Sequence, residues 1–173
     1  MKQFEKLSTK KIKLFCLPYA GGAASMYDQW SAKLSKEIDV CPINLAGRGS
    51  RITDKLYENL AAAVEDIYQM IKDDISQYDY AIFGHSMGAL LAYELVHKIA
   101  SEGKKGPMHV FFSGRKPVHI PKTEKFYSAM NELEFQEAVL SLGVTPPEIF
   151  ENSELKEIFI PILRSDFSIA ETF

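Results

Sequence analysis

Ser86 lies in the run "YAIFGHSMGALLAYEL", Tyr80 to Leu95, between two glycines at the pattern Gly84-His85-Ser86-Met87-Gly88. A serine in G-x-S-x-G, following a short apolar run and opening an amphipathic one, has the spacing of a nucleophile raised on a tight strand-to-helix turn. The flanking glycines leave room where a larger side chain would collide with the neighbouring strand or helix. The helix N-terminus favours the negative charge that develops when such a serine attacks a carbonyl. The backbone N–H of Met87 points to the same spot and is one candidate oxyanion donor. The second donor should come from the loop "LPYAGG" (17–22), whose glycines allow close backbone approach. There the N–H of Ala20 is favoured, with Tyr19 as the neighbouring alternative. A phosphate cradle is disfavoured, since neither GxGxxG nor GxxxxGK[ST] is present.

A nucleophilic serine needs a base and a group that orients it. His85, adjacent to the serine on the turn, should project away from the serine oxygen. His97 lies further along the following helix. His109 opens a strand at the end of the sheet away from catalysis, and His119 follows that strand in a loop. The turn after "HVFFSG" offers Arg115 and Lys116 instead of a carboxylate. Asp166 is read as an ion-pair partner of its neighbour Arg164.

The elements that must carry these groups alternate. "IKLFCL" (12–17), "DVCPINL" (39–45), "YAIF" (80–83) and "HVFFSG" (109–114) read as strands, with Pro42 marking an edge position or a bulge. "SMYDQWSAKL" reads as a helix with Met26, Trp30 and Leu34 on one face. Leu60, Val64, Ile67, Ile71 and Ile75 recur at steps of three and four and predict a second. The helix after Ser86 should reach Ser101 and be capped near Gly103. Repeated βα units imply an α/β fold, a parallel sheet flanked by helices. From Pro117 the pattern turns helical, with Asn131 and Asn152 as N-caps and Pro161 interrupting the last apolar face. This divides the chain into an α/β core (1–116) and a helical layer over one end of the sheet (117–173).

Composition limits the remaining possibilities. The 173 residues suit one domain, with 46% hydrophobic and 25% charged residues. A formal charge of −3 without a basic cluster argues against nucleic acid. Cys16 and Cys41 lie in apolar runs outside any CxxC pair and read as core thiols of a reducing compartment. The charged N-terminus "MKQFEKLSTKK" precedes no apolar stretch of signal-peptide type, and no run reaches membrane-spanning length. A cytoplasmic protein is expected.

The pieces "LPYAGG", "LAGRGSR", "FGHSMGA", "FFSGRKP" and "LRSDFSIAETF" fall in an order that resembles the type II thioesterases of nonribosomal peptide and polyketide synthesis. Ala46 departs from the proline that the family usually places before Gly-Arg-Gly. The resemblance implies an α/β-hydrolase-like fold with a helical lid. It also implies hydrolysis of acyl thioesters on the phosphopantetheine arm of acyl or peptidyl carrier proteins. Ser86 would be the nucleophile, and Met87 and Ala20 the oxyanion donors. No metal or organic cofactor would be needed, because the phosphopantetheine belongs to the substrate.

Family members continue past the "LRSDF" helix with two strands whose turns supply the triad aspartate and histidine. On that pattern, residues 1–173 hold nucleophile, oxyanion loop and lid without base or acid, and are expected to be poorly active alone. Phe150, Ile158, Phe159 and Phe167 are candidate walls of the acyl pocket, with core packing as their alternative role. Two other readings compete: an ester or lipid hydrolase on the same elbow, and a non-catalytic module that binds carrier protein.

Overall fold

The apolar run Ile12–Leu17 forms β1, the strand on which the sheet is built. In the computed structural model, which describes residues 11–120, 126–143 and 145–171, β1 is flanked by β2 (Ile38–Pro42) and β3 (Tyr80–His85). The fourth strand, β4 (His109–Ser113), lies beyond β3. All pairings are parallel and the order is β2-β1-β3-β4. Both central strands therefore end at one edge, where Leu17 stands beside Gly84 and His85 beside Ser113. Open α/β sheets bind ligands along that edge.

Pro42 closes β2 at the outer edge of the sheet, where a missing N–H costs no ladder bond. The strand is shorter than the 39–45 expected, because Ile43 already turns away while its N–H still reaches Cys16 O at 3.0 Å. Burial pushes the Cys16 thiol up to about 12, with Cys41 nearby adding to the effect. Both cysteines are free, and Cys16 is fully buried.

Helix α1 (Trp30–Lys33) and a preceding 3-10 turn at Ala24–Tyr27 replace the single helix expected at 25–34. Tyr27, not Met26 or Leu34, is the buried anchor, packed edge-on against Trp30 and Phe83. Helix α2 (Leu60–Ile71) is N-capped by Asn59 and buries Leu60, Val64, Ile67 and Ile71 as their spacing requires. The helix breaks before Ile75, which is still buried from the short α3 (Asp74–Gln77).

Helix α4 (Met87–Ser101) runs through the centre of the core and ends at Gly103, whose φ of 65° and N–H to Ala100 O form the expected cap. Beyond β4 come α5 (Glu132–Ser141), α6 (Glu148–Glu151) and α7 (Ser153–Ala170). Asn131 and Asn152 cap α5 and α7, the former in a reciprocal capping box with Glu134. Helix α7 continues through Pro161. Phe135, Val139, Phe150 and Leu163 form a small core of their own among these helices, while Ile169 joins the main one. No helix among the described residues is long and apolar enough to cross a membrane.

Candidate active site

Between the end of β3 and the start of α4 stands Ser86, with φ 54° and ψ −111°. Among the described residues it is the only non-glycine with positive φ. Such a conformation costs about 1–3 kcal/mol and persists only where its surroundings enforce it. Here the Ser86 N–H donates to Ser113 O at 2.8 Å, and Ser86 O accepts from the Ala89 N–H at 3.0 Å. The two glycines of the motif serve close packing. A Cβ on Gly84 would strike the Gly88 carbonyl, and one on Gly88 would strike the Leu17 carbonyl. Strand β3, the turn and α4 therefore meet β1 at backbone contact, which leaves Ser86 half-buried at the C-terminal edge of the sheet.

The loop after β1 closes on itself through the Gly22 N–H to Tyr19 O bond at 2.9 Å. The Gly21 N–H donates to Asp166 Oδ2 at 2.7 Å. Among the described residues nothing accepts from the N–H of Ala20 or of Met87. Ala20 is half-buried in this loop, and Met87 is fully buried in the first turn of α4.

Asp166 is not paired with Arg164. Its carboxylate receives both arms of Arg48 at 2.7 Å, with Asp166 fully buried and Arg48 5% exposed. Arg48 also donates to Gly22 O at 3.1 Å and to Ala46 O at 3.3 Å. Residues two apart on a helix face different directions. Arg164 accordingly turns to the Ser128 and Met130 carbonyls and lies over the Phe135 ring. The missed signal was in the helix itself. Asp166 shares the face of Ile162, Leu163 and Ile169, all buried, so the 3.6-residue period placed it inward.

A second network holds the loop after β2. Ser165 Oγ donates to Tyr57 O at 2.9 Å, and Tyr57 Oη accepts from the Ala46 N–H at 3.0 Å. Tyr57 donates in turn to Asp66, which Arg51 grips at 2.7 and 3.1 Å. Burial works against the Asp66 charge, but the Arg51 and Tyr57 hydrogen bonds outweigh it and hold the carboxyl below its ordinary value.

The histidines are dispersed. His85 turns its Nδ1 to Ser113 Oγ at 3.0 Å. His97 is exposed on α4 beside Tyr93. His109 begins β4 at the opposite edge of the sheet. His119 is exposed and lines a cavity of about 260 Å³ with Ala89, Tyr93 and Phe112. Among the described residues none is hydrogen-bonded to the Ser86 hydroxyl. After β4, Arg115 donates to Ala170 O at 3.1 Å.

Of the expected pocket walls, Phe150 is buried in the small helical core and Phe167 packs against that core. Phe159 is half-buried and Ile158 faces solvent. Residues 1–10, 121–125, 144 and 172–173, which include parts of the expected core and helical layer, lie outside the described residues.

A family profile described as "Thioesterase domain" matches residues 12–173. The gramicidin S biosynthesis protein GrsT of Aneurinibacillus migulanus is 38% identical over 166 residues, covering 96% of this chain and 64% of GrsT. The crystal structure of ClbQ from the colibactin NRPS/PKS pathway superposes with a TM-score of 0.87 at 41% identity, covering 94% of this chain and 68% of that one. RedJ, a thioesterase of the prodiginine pathway in Streptomyces coelicolor, gives 0.83 at 31% identity, covering 92% and 63%. The chain thus spans less than two thirds of the curated relative GrsT.

Proposed function

Because the chain belongs to the thioesterase domain family, we propose that the protein it forms hydrolyses acyl thioesters carried on the phosphopantetheine arm of carrier proteins, as a type II thioesterase. The observation that carries this reading is the strained backbone of Ser86 at the junction of β3 and α4. A non-glycine residue in that conformation costs free energy, and its position at the sheet edge suits attack on a carbonyl. The pathways named for GrsT and ClbQ support a carrier protein of a peptide or polyketide synthetase as partner.

In this reading Ser86 Oγ adds to the thioester carbonyl, and the N–H groups of Met87 and Ala20 hold the oxyanion. Collapse breaks the C–S bond, the phosphopantetheine thiol leaves with a proton, and water then releases the acid from the acyl-serine. The base is assigned to polypeptide outside the described residues, together with the carboxylate that orients it. The chemistry calls for no metal or organic cofactor. Residues 117–173 act as the lid over residues 1–116, and the protein works in the cytoplasm beside its synthetase.

The test compares turnover of an acyl-phosphopantetheinyl carrier protein with that of simple lipid esters by the whole protein and by Ser86→Ala. Thioester hydrolysis should dominate and fall by about 10³-fold or more in the variant. A strong preference for lipid esters, or unchanged turnover by Ser86→Ala, sinks the reading. Retention of carrier protein in a pull-down without any hydrolysis would favour a binding module instead.

A further inference from the structure

His85 and the end of β4 have no task in the reading above, yet they are built around each other. His85 Nδ1 is 3.0 Å from Ser113 Oγ. The carbonyl of the same Ser113 takes the N–H of Ser86 at 2.8 Å. Gly114 follows with φ 63°, and a Cβ there would lie 2.5 Å from His85 Cε1 and 3.0 Å from Nδ1. The imidazole therefore fills the space that any side chain at Gly114 would need. On its other side the Tyr19 ring meets it edge-on, 6.0 Å between centroids.

The ring is thus wedged between the loop after β1, which carries Ala20, and the end of β4, which anchors the Ser86 backbone. We propose that His85 is a positioning residue: through Ser113 and Gly114 it braces the strained Ser86 turn and keeps it in register with the Ala20 and Met87 N–H groups. The proposal rests on Ser86 being the nucleophile. It explains why a histidine sits beside the serine without serving as its base, and why a glycine follows Ser113 at the end of β4. A strained backbone relaxes when the contacts that over-determine it are removed. Displacement of a reacting group by about 1 Å costs on the order of 10²-fold in rate.

The experiment measures kcat and KM of the whole protein on a carrier-bound acyl thioester for His85→Leu, His85→Asn, Ser113→Ala and the His85→Leu/Ser113→Ala pair. His85→Leu and Ser113→Ala should each lower kcat about tenfold or more with KM within about twofold. His85→Asn, which keeps a polar atom at the Nδ1 position, should recover most of the loss. The double variant should be no worse than the poorer single one, since both remove one contact.

Amide exchange of Ser86 supplies a readout that does not depend on turnover. Its rate should rise about tenfold or more in Ser113→Ala and His85→Leu, while Phe15 on β1 is unchanged. Lower thermal stability with kcat and Ser86 exchange both within about twofold of the parent means that the contact is only structural, and overturns the proposal. Turnover retained by Ser86→Ala removes the nucleophile reading instead, and the exchange rates still decide whether the brace exists.

Discussion

Arg48 and Asp166 stand 118 residues apart in the chain and meet through two hydrogen bonds of 2.7 Å, both side chains almost wholly withdrawn from water. The same carboxylate holds the Gly21 N–H, and the same guanidinium holds the Gly22 carbonyl. One ion pair thus ties α7 to the loops after β1 and β2. Helix α7 is therefore joined to both loops by buried polar contacts.

Removing Asp166 leaves the Arg48 charge buried without its partner. Asp166→Ala should cost about 3–5 kcal/mol, and Arg48→Ala a similar amount, read from denaturant unfolding. Replacing both by leucine should recover part of the loss, because the stranded charge is the larger cost. A single-variant loss below about 1 kcal/mol would show that the pair is not the anchor.

The glycines of the motif can be tested against a glycine with free space. Gly88→Ala forces a Cβ into the Leu17 carbonyl, a rigid backbone atom, and should cost about 3 kcal/mol or prevent folding. Gly106→Ala, where nothing lies within 4 Å, should change stability by less than about 0.5 kcal/mol. Equal thermal melts for the two variants would refute the packing account of G-x-S-x-G.

The carboxyl of Asp66 is held below its ordinary value of 3.8. A depressed folded value means that its contribution is fully present above the unfolded value and is lost as pH falls through the folded one. The stability gap between the parent protein and Asp66→Asn should therefore be widest at neutral pH. It should close as pH drops from just above 3.8 through lower values. A gap that stays constant between pH 7 and the acid limit of folding assigns the loss to packing.

Among the described residues, strand β4 lies at an edge of the sheet and exposes Phe111 and Phe112 on its two faces, with Met108 60% exposed just before it. An open apolar edge pairs with other chains. The isolated 173-residue polypeptide is expected to self-associate, and Phe112→Lys to reduce this, in sedimentation velocity. A monodisperse parent chain that melts cooperatively would count against it.

The tight strand-to-helix turn at Ser86 was legible in the sequence because its causes are local. Strand, glycine, serine, glycine and helix follow one another within "YAIFGHSMGALLAYEL", and steric contact between neighbours in the chain dictates the turn. The βα alternation and the Asn131 and Asn152 caps were legible for the same reason. The helix expected at 25–34 failed because Tyr27, off the assumed apolar face, found Trp30 and Phe83, and tertiary packing overrode local periodicity.

What the sequence determined by itself was the succession of the four strands, the place of Ser86, and a motif set that identifies the family. Which charge neutralises Asp166, which group engages His85, and which loop N–H groups already have partners were decided only by the tertiary structure. Those pairings join Gly21, Arg48 and Asp166 to one another, and His85 to Ser113, across five separate segments. A buried ion or imidazole takes the partner that folding brings within hydrogen-bond reach, and proximity along the chain carries no information about that choice.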